Sequence, residues 1–177
     1  MLALASSLFA DNGKELKLAS PDGTHEIVFY QKQVSPAVNE LCYRVDYKSQ
    51  PVVNESRAGL ELDNRIWEMA LGVRNLKQPA CWMDNLEVDS VTYQPETNLT
   101  WQPLYGERSS VRDHYRAGTL CLSKKDNSGY RLNIEVRAYN EGVAFRYFFP
   151  EHPKAIFHKV VGDLTAVSYT HLTLPTN

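Results

Sequence analysis

The densest chemistry in this 177-residue chain lies in WQPLYGERSSVRDHY, residues Trp101 to Tyr115. Three aromatics, two carboxylates, two arginines and a histidine share that stretch, and Arg116 follows it directly. Two acids so close suggest the paired carboxyls of a glycoside hydrolase, one protonated and one ionised. As one extended strand, Gly106 to Arg116 places Glu107, Ser109, Val111, Asp113 and Tyr115 on one face. Arg108, Ser110, Arg112, His114 and Arg116 take the other. Six residues then separate the two acids by roughly 20 Å. A retaining pair stands about 5 to 5.5 Å apart and an inverting pair about 6.5 to 9.5 Å. Glu107 and Asp113 therefore do not form a dyad within one strand.

The basic face has two readings, a solvated surface or charges paired with carboxylates on another strand or domain, Glu135 being one such partner. Arginine tolerates partly buried pairing because its guanidinium is planar and weakly hydrated. His114 has no local His, Cys or carboxylate at metal-ligand spacing, and His152 and His158 form no motif, so no metal site is expected from them. Trp67, Trp82 and Trp101 offer faces on which sugars stack, although each suits the core or rim of a β-sandwich better. The chain shows no nucleophile elbow, no phosphate-cradling glycine loop and no supported Cys-His pair.

The elements that position these groups read mostly as strands. HEIVFYQ follows the turn SPDG, and LCYRVDY alternates Leu41, Tyr43, Val45 and Tyr47 against Cys42, Arg44 and Asp46. AGLEL is a further alternating piece. RLNIEVRAYNEGVAFRYFFP sets Leu132, Ile134, Val136 and Ala138 on one face, and Asn140-Glu141-Gly142 reads as a three-residue hairpin loop. The return strand puts Val143, Phe145, Tyr147 and Phe149 together. Only Arg65 to Leu76 matches a helical stripe, through Ile66, Met69, Ala70 and Val73, and Gly72 weakens it. Many short strands with almost no helix predict an all-β, antiparallel sandwich.

Composition sets the outer bounds. The chain is 43% apolar and 23% charged with a net charge of −2. It lacks the basic excess that a nucleic-acid groove or an anionic membrane surface calls for, which argues against both partners. Its length suits one domain and falls short of the about 250 residues of a (β/α)₈ barrel. Three cysteines about forty residues apart fit neither a zinc knuckle nor a disulfide framework and read as small buried hydrophobes. MLALASSLFA, residues 1–10, resembles the apolar part of a secretory signal, with cleavage after Ala10, and is too short to span a bilayer.

The order of SPDG, AGLEL, W-Q-P-x-Y-G-E-R-x-x-V-R-D-H-Y and R-L-N-I-E-V-R-A-Y-N-E-G-V-A-F-R-Y resembles the N-terminal domain of glycoside hydrolase family 97 over residues 16–166. That resemblance implies a β-super-sandwich of the galactose-mutarotase-like type. It also implies a bacterial α-glucosidase or α-galactosidase as parent, periplasmic or secreted, that hydrolyses α-glycosidic bonds in oligosaccharides. In such an enzyme a (β/α)₈ barrel of the same chain carries the catalytic carboxylates and a calcium ion (Ca2+), and the sandwich packs against it. No catalytic residue and no bound cofactor are then expected within this sequence, and the chain alone is expected to be inactive. Glu107, Arg112, Asp113 and His114 become candidates for the barrel-facing or substrate-facing surface. One departure stands out: the family commonly continues this motif with Asn-Glu, where this chain has Arg116-Ala117. Residues 167–177, VSYTHLTLPTN, have no counterpart in the resemblance and read as a vector- or adaptor-derived tail, leaving out the calcium-binding glutamate expected after GDLTA. The alternative is a standalone carbohydrate-binding module without catalysis.

Overall fold

The computed structural model describes residues 14–63, 65–70, 72, 83–125, 128–152 and 157–169. Among them the chain runs β1 (Glu15–Ala19), β2 (His25–Ser35), β3 (Val38–Tyr47), β4 (Gln50–Arg57), β5 (Leu60–Leu62), α1 (Arg65–Ala70), β6 (Leu86–Trp101), β7 (Val111–Lys124), β8 (Arg131–Tyr139), β9 (Gly142–Phe148), β10 (Val160–Asp163) and β11 (Ser168–Tyr169). One sheet has the order β1-β2-β3-β4-β11 and a second the order β6-β7-β8-β9, while β10 and β5 form a small separate ribbon. Every pairing is antiparallel. This is the antiparallel sandwich that the period-two patterning predicts.

Alternation decides which side of each strand meets the core. Leu132, Ile134, Val136 and Ala138 of β8 are buried, and the residues between them face outward. Leu16 and Leu18 of β1, Ile27 and Phe29 of β2, and Leu41, Tyr43 and Val45 of β3 fill the opposite side of the same core. Phe145 of β9 meets Phe29 edge-on, with ring centroids 5.0 Å apart, and so joins the two sheets. Each such side chain contributes about 1.5–3 kcal/mol by leaving water, which is why the pattern overrides any local helical preference. Val143, Phe145, Tyr147 and Phe149 pack on this core as the alternation requires.

The turns follow their chemistry. Gly23 donates its N–H to the Ser20 carbonyl at 2.9 Å with φ +74°, closing SPDG. The Asp22 carboxylate accepts from the Ser20 hydroxyl and from the Thr24 amide and hydroxyl. Led by the Ser20 hydrogen bond, these lower its pKa to about 2. The β8–β9 hairpin is tighter than expected: Tyr139 pairs with Gly142, so two residues form the loop and Gly142 opens the return strand. The helix covers Arg65–Ala70, and the expected continuation to Leu76 lies largely outside the described residues. Its stripe does not face the core, because Ile66 is 78% exposed and Met69 is also exposed. A period of 3.6 marks a helix, but here not its buried side. Cys42 is buried, Cys121 is half-buried, both are free thiols, and Cys81 lies outside the described residues.

Candidate functional site

Strand β7 changes surroundings along its length. Leu120 and Leu122 point into the core, and so does Gly118, above which β1 passes. A Cβ on Gly118 would stand 3.2 Å from Leu16 Cδ1 and 3.4 Å from both the Thr92 carbonyl oxygen and Tyr93 Cδ1. The same side of the strand continues through Arg116, His114 and Arg112. Pairing with β8 ends where Tyr115 meets Tyr139, while pairing with β6 continues to Trp101 opposite Val111. The last turn-side stretch of β6 and β7 is therefore a two-stranded arm, capped by the loop 102–110.

That arm corrects the expected strand, which begins at Val111 rather than at Gly106. Gly106 has φ +120°, and residues 102–110 are not strand. Glu107 consequently sits exposed in the tip loop, off the face it was expected to share with Asp113. Arg112, His114 and Arg116 do share a face, as the alternation requires. Asp113 lies on the other side of the strand, beside Tyr115 and close enough to Arg137 to favour its charged form.

The partner of the basic face is Glu96, not Glu135. His114 Nε2 lies 2.7 Å from Glu96 Oε1, and Arg116 Nε donates to Glu96 Oε2 at 3.0 Å. Arg112 Nε donates to Asn98 Oδ1 at 3.0 Å. Glu135 is engaged elsewhere, accepting from Arg146 Nε at 2.6 Å. The hydrogen bond from His114, followed by that from Arg116, holds the Glu96 carboxyl below the ordinary carboxylate range. Glu96 reaches both because β6 carries a bulge: three steps from Gln94 to Thr97 oppose two from Ala117 to Tyr115. Pro95, which has no N–H to give to the ladder, occupies that bulge, and a proline inside an otherwise regular strand was the available signal. Arg116 also donates to the Pro21 carbonyl at 3.4 Å, which ties the base of the arm to the SPDG turn.

Beyond this polar cluster the arm is apolar and exposed. Trp101 is 53% exposed, Leu104 100% and Tyr105 90%, with Leu99 exposed on the adjoining strand. Single exposed apolar residues need no explanation, but four on one projecting element mark an interaction surface. Trp82 and the side chain of Trp67 lie outside the described residues, which leaves Trp101 as the described member of the expected tryptophan platform. His152 and His158 both pack on the buried Tyr130, with centroids 5.3 and 6.2 Å away. Among the described residues no group of three or more His, Cys, Asp or Glu side chains could hold a metal ion. The arm can bind through charge and apolar contact, and it has no pair of carboxyls arranged for hydrolysis.

A family model described as the glycosyl-hydrolase 97 N-terminal domain matches residues 18–172. The chain belongs to that family. A retaining α-galactosidase of Bacteroides thetaiotaomicron is 26% identical to this family 97 domain over 147 residues, which are 83% of this chain and 18% of the relative. A family 97 enzyme from Pseudoalteromonas sp. strain K8, solved in complex with panose, matches with TM-score 0.70 and 25% identity over 88% of this chain and 20% of that one. Its complex with acarbose gives the same values. A β-arabinopyranosidase structure at 18% identity and TM-score 0.66 covers 87% of this chain and 21% of that one, and shares the fold. The family 97 domain thus spans about a fifth of the length of the relatives it matches.

Proposed function

We propose that this domain is the N-terminal support domain of a periplasmic or secreted glycosidase that hydrolyses α-glycosidic bonds in oligosaccharides, and that its β6–β7 arm docks on the catalytic (β/α)₈ barrel of the parent chain. The observation that carries the docking is the apolar tip at Trp101, Leu104 and Tyr105, set on a strand pair whose base is anchored by Arg116. Contact with the barrel would cover the tip and place Glu107, Arg112, Asp113 and His114 along the interface. The carboxyl pair that hydrolysis requires belongs to the barrel, one group giving a proton to the leaving oxygen and the other acting as base or nucleophile. Calcium in the parent enzyme would sit at the barrel, with one glutamate lent by the sandwich shortly after GDLTA.

The test uses the full-length product of the source gene and this chain in parallel. The double substitution Leu104→Ser with Tyr105→Ser is expected to lower the melting temperature and α-glycosidase activity of the full-length product. The melting temperature of this chain alone should stay the same, because both side chains are already in water. An unchanged full-length product would refute docking through the arm. A product that cleaves only β-linked substrates, or none, would refute the α-glycosidase reading.

A further inference from the structure

The β6–β9 sheet has a second side, which neither the core nor the arm uses. It carries a cleft of about 350 Å³, a volume within the range of small-molecule sites. Antiparallel register builds it row by row. Gln94, Ala117, Arg137 and Ala144 stand side by side in one row, and Thr119, Glu135 and Arg146 in the next. A third row closes one end with Tyr115 beside Tyr139, their ring centroids 5.2 Å apart. The alanines on either side of Arg137 leave the space that the longer side chains wall in.

Glu135 offsets Arg146 within the cleft, and Asp113, on the same side of β7 as Tyr115, favours the charged form of Arg137. Glu135 accepts from Arg146 Nε and Nη2 through one oxygen at 2.6 Å, leaving its second oxygen as an acceptor. The Arg137 guanidinium lies 4.4 Å from the centre of the Tyr115 ring and donates through Nη1 to the Tyr139 hydroxyl at 3.4 Å. That stacking fixes the guanidinium plane before any ligand arrives, so little freedom is left to lose on binding. A site for an anion would converge uncompensated donors on one point. This cleft instead alternates donors and acceptors: the Gln94 amide, the Thr119 hydroxyl, the Glu135 carboxylate and two guanidinium edges. A sugar hydroxyl is both donor and acceptor, and a row of them matches such an alternation.

We infer that this cleft is a binding site for a neutral saccharide. The inference deepens the proposed function and rests on it only for the choice of an α-linked sugar. The cleft is open to water and shallow, so affinity is weak, with Kd on the order of 1 mM.

Amide NMR spectra of this chain, titrated with maltotriose and separately with melibiose to about 10 mM, test the site. At least one sugar is expected to shift the amides of Thr119, Arg137 and Ala144 and to leave those of the arm in place. Arg137→Ala and Ala144→Arg should each weaken binding at least tenfold; both positions are exposed, and circular dichroism confirms that the variants fold. Should Arg137→Ala fail to fold, Ala144→Arg decides alone. No shift with either sugar overturns the inference, as do shifts confined to the arm. Sodium sulfate shifting the same amides while both sugars leave them unmoved overturns it too, since the cleft is then an anion site. The Leu104→Ser, Tyr105→Ser chain should bind sugar like the unsubstituted one. Loss of cleft binding alongside an intact arm effect sinks this inference only, and intact cleft binding alongside a parent without α-glycosidase activity sinks the proposed function only.

Discussion

Gly118 lies where β1 packs closely on β7, and substituting it tests the packing argument directly. Its backbone is ordinary strand, so only space restricts a side chain there. An added Cβ would stand 3.2 Å from Leu16 Cδ1 and 3.4 Å from the Thr92 carbonyl oxygen, inside the optimum of about 3.5–4.0 Å. Leu16 is fully buried, so it cannot swing into solvent, and Thr92 contributes backbone. For Gly118→Ala the neighbours must give by a few tenths of an ångström, and stiffening of the unfolded chain returns about 0.4–1 kcal/mol. The two effects nearly cancel. Gly118→Val adds two methyl groups beyond a Cβ that already presses on Leu16, and overpacking of that kind costs about 1–3 kcal/mol. With a urea slope of about 1–3 kcal/mol/M, the midpoint should fall by roughly 1 M while the slope holds. Leu16→Ala in the native background should cost about 2–5 kcal/mol. In the Gly118→Val background it should cost less, with a coupling of about 1 kcal/mol or more. Urea unfolding followed by circular dichroism reads all four chains. A Gly118→Val chain as stable as the parent, or costs that simply add, would refute the claim that Leu16 sits in the space the glycine leaves.

Other predictions concern titration. Glu96 keeps a depressed carboxyl because His114 and Arg116 share it. Its contribution to stability is present above the ordinary carboxylate value and is lost as pH falls through the folded value. Carboxyl-detected NMR should show the Glu96 titration moving up in His114→Ala and again in His114→Ala with Arg116→Ala, and an unmoved midpoint would contradict the geometry. Burial, with His152 nearby, pushes the His158 imidazole below its ordinary value. The unfolded chain then takes up the proton first, so stability should decline as pH drops below about 6.5. His158→Phe should flatten that acid limb in thermal melts measured between neutral and mildly acidic pH, and an equally steep limb would count against the assignment.

The fold was legible because burial has a period. Leu132 to Ala138 alternate without exception, and the core enforces that alternation since a one-residue slip would turn every leucine into water. The site was legible only as far as one strand reaches. Arg112, His114 and Arg116 could be placed on one face from their parity, but Glu96 lies sixteen or more residues earlier in the chain than any of them, and its reach depends on a bulge. Parity fails where a bulge adds a residue, and Pro95 was the sole local mark of it. Glu107 went astray for a related reason: Gly106 at φ +120° breaks the extension that the alternation of charges suggested. The exposed stripe of α1 shows the opposite limit, a periodicity with nothing packed against it among the described residues.

The bulge at Pro95 has a consequence for how copies of this chain meet. Strand β6 is sixteen residues long and forms one edge of its sheet. An unbroken edge of that length is a template on which a strand of another molecule can add, and then another. The missing N–H of Pro95 breaks the run of donors near its middle, and the extra residue bends the ribbon away from a straight neighbour. Glu87 on the same strand is exposed and sets its charge against an identical edge. The irregularity that lets one carboxylate hold His114 and Arg116 thus also makes this edge a poorer template for an added strand.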